Sequence, residues 1–193
     1  MKYRIFLFAF TLLSVTGCVN LRNGVFVEND RIMKIRKVTY DAYFVSNHRY
    51  EQSYTQKITF LKETDINNIT KYTLYDVITL PVESFDLDDK MYIVADEDVI
   101  TFPVSYQNQY NTKKINEEKQ EIMQSDSTKI AVVTGYDVVN KKTIQMTHPI
   151  NDDILRKISR ARELHLRYYV GPNAINSEIK GTTLRNVKKW ILK

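Results

Sequence analysis

The three histidines, His48, His148 and His165, are the only imidazole bases in this chain, and Cys18 is its only thiol. A hydrolytic triad needs a nucleophile, a base and an orienting acid brought together, and none of the three histidines sits in a motif that supplies the other two. His48 follows Asn47 and His148 precedes Pro149, both turn-like settings, while His165 lies between Glu163 and Arg167 on the polar face of a predicted strand. One cysteine excludes an intramolecular disulfide and a cysteine-based zinc site. With 5 glycines in 193 residues, the nucleophile elbow, the phosphate-cradling loop and the dinucleotide fingerprint are all missing.

The acidic clusters are the remaining source of chemistry. Asp86, Asp88 and Asp89 resemble the start of a calcium loop, but Lys90 follows and the glycine of the sharp turn is missing. Asp96-Glu97-Asp98 lies seven residues beyond Asp89 across a predicted strand, about 23 Å away, so the two clusters cannot share an ion. Both read as solvated hairpin ends. The sequence therefore assigns no catalytic residue, metal or cofactor, and the chain is expected not to be an enzyme. The alternative is an envelope- or polysaccharide-directed hydrolase using carboxylates the sequence does not single out; it would need two of them roughly 5–9 Å apart in a pocket.

The elements that must carry any site are mainly strands, because apolar and β-branched residues alternate with polar ones. In residues 31–45, Met33 and Ile35 share one parity and Val38, Tyr40, Ala42 and Phe44 the other, which predicts a bulge at Arg36 and Lys37. Tyr54, Ile58 and Phe60 mark a second strand; Tyr72, Leu74, Ile78 and Leu80 mark a third, ending at Pro81. Residues 91–95 and 99–104 predict a hairpin, with Pro103 placing the second strand at an edge. Residues 130–139 and 143–147 predict another, turning at Asn140-Lys141-Lys142. The polar run 105–128 shows no alternation and predicts a short helix in an exposed connection, with Ile115, Ile122 and Met123 on one face. Asn151 caps a helix with Asp152 and Asp153 in its first turn, Ile154, Leu155 and Ile158 on its core face and Arg156, Lys157 and Arg160 in its last turns. Leu164, Leu166, Tyr168 and Val170 form a final strand stopping at Gly171-Pro172. A second helix begins near Thr182, burying Leu184, Val187 and Ile191. This pattern predicts one α+β domain over 31–193, predominantly antiparallel β and sandwich-like, with two C-terminal helices. Of the 13 tyrosines, Tyr40, Tyr43, Tyr50, Tyr54, Tyr72, Tyr75 and Tyr92 fall in or beside the predicted sheet, where packing is their expected role.

The N-terminus is an address. Lys2 and Arg4 precede an apolar core, Ile5 to Leu13, of signal-peptide length, and Leu13-Ser14-Val15-Thr16-Gly17-Cys18 follows. That run resembles the lipobox of bacterial lipoproteins. The resemblance implies that residues 1–17 are removed between Gly17 and Cys18, that Cys18 carries a diacylglycerol, and that 18–30 form a lipidated terminus and short tether. Two or three acyl chains hold a protein on a membrane stably. Val19, rather than an aspartate, follows the cysteine, and no acid falls in residues 19–23. By the sorting rules of such lipoproteins this implies the outer membrane and its periplasmic face. Asp126-Ser127-Thr128 resembles a periplasmic O-glycosylation site with Ser127 as acceptor.

Charge is unevenly spread. The whole chain has 28 basic and 23 acidic residues, but residues 154–193 hold ten basic side chains against Glu163 and Glu178 alone. Arg185, Lys188, Lys189 and Lys193 lie outside the apolar stripe of the last helix and are candidates for contact with an anionic envelope surface. The expected partners are therefore the membrane, through the lipid anchor, and an envelope protein, glycan or anionic surface; an exported protein is a poor partner for nucleic acid.

Overall fold

The computed structural model describes residues 24–46, 53–104, 106–123 and 129–193. Cys18, Gly17, His48, Tyr50 and Ser127 lie outside them. The architecture is the expected one: mostly antiparallel β with two helices. The strands are β1 (Phe26–Asp30), β2 (Ile35–Ser46), β3 (Tyr54–Thr64), β4 (Thr70–Pro81), β5 (Leu87–Ala95), β6 (Asp98–Pro103), β7 (Tyr106–Met123), β8 (Lys129–Ile150), β9 (Leu164–Val170) and β10 (Asn173–Ile179). Helix α1 (Asp152–Arg160) separates β8 from β9, and α2 (Gly181–Leu192) closes the chain. One sheet runs β1-β2-β3-β4-β8-β7 and the other β10-β9-β5-β6, every neighbour antiparallel.

Period-two alternation makes this sandwich. Val38, Tyr40 and Ala42 of β2, Ile58 and Phe60 of β3, Leu74, Ile78 and Leu80 of β4, and Ile144 and Met146 of β8 turn one face of the six-stranded sheet inward. Met91, Ile93, Leu166, Tyr168, Val170 and Ile175 belong to the four-stranded sheet and join the same core. The edge position of β6 agrees with Pro103, which has no N–H for a further neighbour.

The helices cover one end. Asn151 accepts at Oδ1 from the N–H of Ile154 (3.0 Å), and α1 buries Ile154, Leu155 and Ile158 as its spacing predicts. Helix α2 buries Leu184 and Val187, but its third anchor is Trp190, with Ile191 only partly covered. The indole is fully buried, donates to the carbonyl of Val38 (3.1 Å), lies 5.4 Å from the Phe60 ring and meets Tyr72 edge-on at 5.6 Å.

Five expectations are corrected. No bulge interrupts β2, whose pairing with β3 runs unbroken from Arg36 to Ser46. The change of parity arises because residues 31–34 form a turn: Asp30 accepts from the N–H groups of Ile32 and Met33, Lys34 adopts φ +53°, and Met33 is exposed. Residues 26–30, expected in the tether, form β1 against β2. The predicted 105–128 helix is strand β7, and the predicted turn at 140–142 lies inside the unbroken strand β8, because β7 and β8 pair with one another from Tyr106–Met146 to Met123–Lys129. The chain after Gly171 turns straight back as β10. Gly171 has φ +57°, and a Cβ there would come within 2.6 Å of the Phe85 ring, so glycine alone suits this tight turn.

Candidate functional site

The helix end of the sandwich carries an open groove of about 720 Å³, lined by the β5–β6 turn, by one side of α1 from Asp153 to Arg160, and by Ala161 and Arg162. The turn is rigid. Asp96, at φ +53°, accepts at Oδ1 from the N–H groups of Arg162 (2.8 Å) and Glu163 (2.9 Å) and donates its own N–H to the carbonyl of Glu163 (3.1 Å). The hydrogen bonds from Glu163 and Arg162 hold its carboxyl below the usual range, with smaller help from the charges of Arg162 and Lys188. Asp96 is therefore a structural clamp rather than a free hairpin acid. Asp98 pairs loosely with Lys157 (3.7 Å), and Asp153 pairs with Arg156 (2.7 Å).

The predicted cations gather at this end. Arg185, Lys189 and Lys193 are exposed, and Lys188 is half-buried near Asp96. Arg156, Arg160 and Arg162 add exposed guanidinium groups from α1 and the segment after it. A planar guanidinium suits carboxylate and phosphate oxygens, so the combined surface of α1 and α2 can receive an anion. Among the described residues, no three His, Cys, Asp or Glu side chains gather as a metal site. Asp88 and Asp89 are exposed, and Asp86 pairs with Lys142 (2.7 Å).

That lysine was hidden from pattern reading. Lys142 is buried on β8, and its ammonium donates to the carbonyls of Ser84 (3.1 Å) and Phe85 (3.2 Å) as well as to Asp86, tying the β4–β5 loop to β8. The ion pair holds the Asp86 carboxyl below its usual range.

A second polar cluster lies between the sheets. Asp76 of β4 is fully buried, and its Oδ2 accepts from Nε2 of Gln56 (2.5 Å) and from the hydroxyl of Tyr168 (2.5 Å) across the sandwich. Ser177 of β10 donates to Oε1 of Gln56. Burial pushes the Asp76 carboxyl up to about 7 against these hydrogen bonds, and the Tyr168 hydroxyl well above its ordinary range. His148 is also buried, edge-on to Phe102 at 6.1 Å, and burial pulls its pKa down to about 4. These groups cross-brace the two sheets. A legible signal existed for Asp76, which shares the inward parity of Leu74 and Ile78. His165 is only partly covered on β9.

The tyrosines divide. Tyr40 and Tyr54 are buried, Tyr72 packs on Trp190, and Tyr92 meets Tyr169 edge-on at 5.8 Å. Tyr43 instead stands on the outer face with Lys57 over its ring.

Fold and groove together define a two-sheet antiparallel sandwich with a helical, cationic end. No protein-family model matches the sequence, and no curated protein matches it. Among solved structures, it is similar to invasion associated protein B from Bartonella henselae, at 6% identity and a TM-score of 0.39, over 86% of this chain and 87% of that one.

Proposed function

We propose that this chain is a lipid-anchored bacterial envelope protein with a binding or structural role, held through Cys18 on the periplasmic face of the outer membrane. The observation that carries this reading is the lipobox-like run ending at the only cysteine in the sequence. The placement of the basic end supports it. Val27 lies nine positions after Cys18, a span of at most about 32 Å. Val27 pairs with Val38, whose carbonyl receives the Trp190 indole of α2. The anchor therefore emerges within reach of α2, so a membrane holding the lipid can meet Arg185, Lys188, Lys189 and Lys193. Each such charge near an anionic surface adds about 1 kcal/mol, screened beyond about 8 Å at physiological salt.

Binding suits the groove better than hydrolysis. A glycosidase acid requires a carboxyl whose pKa is raised in an accessible cleft. In the groove Asp96 is held low by backbone hydrogen bonds, and Asp98 and Asp153 are paired with Lys157 and Arg156, whereas the raised carboxyl, Asp76, is sealed between the sheets.

Two measurements test the reading. Palmitate labelling of cells should mark the wild type and be lost in Cys18→Ser; labelling that persists in the variant sinks the lipid assignment. Protein beginning at Val19, without leader or lipid, should sediment with anionic vesicles at low salt and lose that binding at high salt. Changing Arg185, Lys188, Lys189 and Lys193 to Gln should abolish it; equal binding by both proteins removes the anionic-surface role.

A further inference from the structure

Strands β7 and β8 leave the body of the molecule together. The pairing of β8 with β4 ends at Lys141–Pro81, so residues 129–140 and their β7 partners form a two-stranded ribbon about 40 Å long. Neither face is covered: Ile115 is 57% exposed and Tyr136 67% on one, and Ile122 is 46% and Ile130 40% exposed on the other. An isolated two-stranded ribbon is only marginally stable in water, and a free strand edge is a template for another strand. The outer edge of β7 is long and smooth. From Asn108 to Met123 it contains neither proline nor glycine, and the irregularity at Glu118/Lys119 places the extra residue, Thr134, on β8.

We propose that the outer edge of β7 pairs antiparallel with the same edge of a second copy of this chain, about a two-fold axis at Ile115. Charge and the length of edge paired together select that register: an axis at Gln120 would oppose Lys119 to Glu121 but pair only residues 117–123 of β7, whereas an axis at Ile115 pairs 107–123. A two-fold perpendicular to the sheet keeps every side chain on its own face, so the axis must pass through a residue position. Centred on Ile115, the pairing sets Lys113 opposite Glu117 of the second copy, twice, and sets Lys114 opposite Asn116. No like charges meet. Moving the axis to Lys114 opposes that lysine to itself, and moving it to Asn116 opposes Lys113 to Lys119. Like charges directly opposed on a sheet destabilise the pairing and opposite ones favour it. Val138 is the cross-strand partner of Ile115 within the ribbon. The dimer would therefore carry one apolar row, Val138 and Ile115 followed by Ile115 and Val138 of the second copy, across four strands. The antiparallel arrangement sends the two bodies to opposite ends of the joint, and the tip of each ribbon, residues 118–123, lies along residues 107–112 at the sheet edge of the other copy.

Cross-linking tests the axis directly, in the full chain carrying Cys18→Ser so that an introduced thiol is the only one. Ile115→Cys should give a covalent dimer with a short bifunctional thiol reagent, because residues opposed on a sheet are close. Glu121→Cys should not, since two copies of that residue would lie six positions either side of the axis, about 40 Å apart. Lys113→Glu should weaken self-association at least tenfold by sedimentation velocity, and adding Glu117→Lys should restore it. Equal cross-linking at 115 and 121, no dimer at 115, or a charge swap that fails to rescue overturns the proposal. Because these proteins lack the lipidated residue, failure here is separate from failure of the anchor or of vesicle binding.

Discussion

At the scale of single residues, two buried titrating groups act in opposite directions. Asp76 moves from 3.8 in the unfolded chain to about 7, so between those values the native state holds the extra proton and stability falls as pH rises. His148 moves from 6.5 to about 4, so in that window the unfolded chain holds the extra proton and stability is lost as pH falls. Each slope is at most about 1.4 kcal/mol per pH unit, and over their shared window they largely cancel. Asp76→Asn keeps an oxygen for Gln56 and Tyr168 and removes one slope. Relative to wild type, this variant should gain stability progressively between pH 4 and 7 in urea melts, and His148→Gln should lose stability relative to wild type as pH rises through 4 to 6.5. A variant-minus-wild-type difference that does not change with pH would show that neither buried group titrates as described.

At the scale of elements, α2 and the ribbon are opposite cases. The helix has no side-chain N-cap and no acid in its first turn, so it depends on what it buries. Trp190 is the largest of its anchors. Trp190→Ala removes the indole contacts with Phe60 and Tyr72 and leaves the Val38 carbonyl without its donor; a loss of about 3–5 kcal/mol is expected in chemical unfolding. A loss below about 1 kcal/mol would mean that the helix docks through Leu184 and Val187 alone. The ribbon buries almost nothing against the body. Replacing residues 113–140 by Asn-Gly, a two-residue hairpin loop between the paired Thr112 and Lys141, should leave the melting temperature within about 4 °C. A larger drop would show that the ribbon supports the fold that carries it.

At the scale of the whole molecule, the two polar ends face apart. The Val38–Lys62–Tyr72–Ile150 row lies under α2, whereas the Pro81–Lys141 row at the other end of the sheet launches the ribbon. With α2 against a membrane, the ribbon points away from it, free to meet another copy. A thiol-reactive fluorophore at Glu121→Cys, in the chain beginning at Val19, should therefore be quenched less by a vesicle-embedded quencher than one at Lys189→Cys when anionic vesicles are bound. Equal quenching would mean that the domain has no preferred orientation.

What could be read from the sequence alone followed from local periodicity. The inward parity of Ile58, Phe60, Leu74 and Leu166, the Asn151 cap, the α1 stripe and the edge position implied by Pro103 each depend on neighbours a few residues apart, and each stands in the fold. The cationic residues of the C-terminal segment were likewise plain in the sequence. Tertiary structure decided the rest. Polar runs such as 106–123 have no buried face to impose period two, so strand form there comes from hydrogen bonds to residues 129–146, far along the chain. Lys142 and Asp76 read as polar residues in alternating segments; only the β4–β5 loop and the facing sheet make one a buried tie and the other a cross-brace. The groove exists because Asp96 grips the backbone of Arg162 and Glu163, a contact across 66 residues that no local pattern encodes.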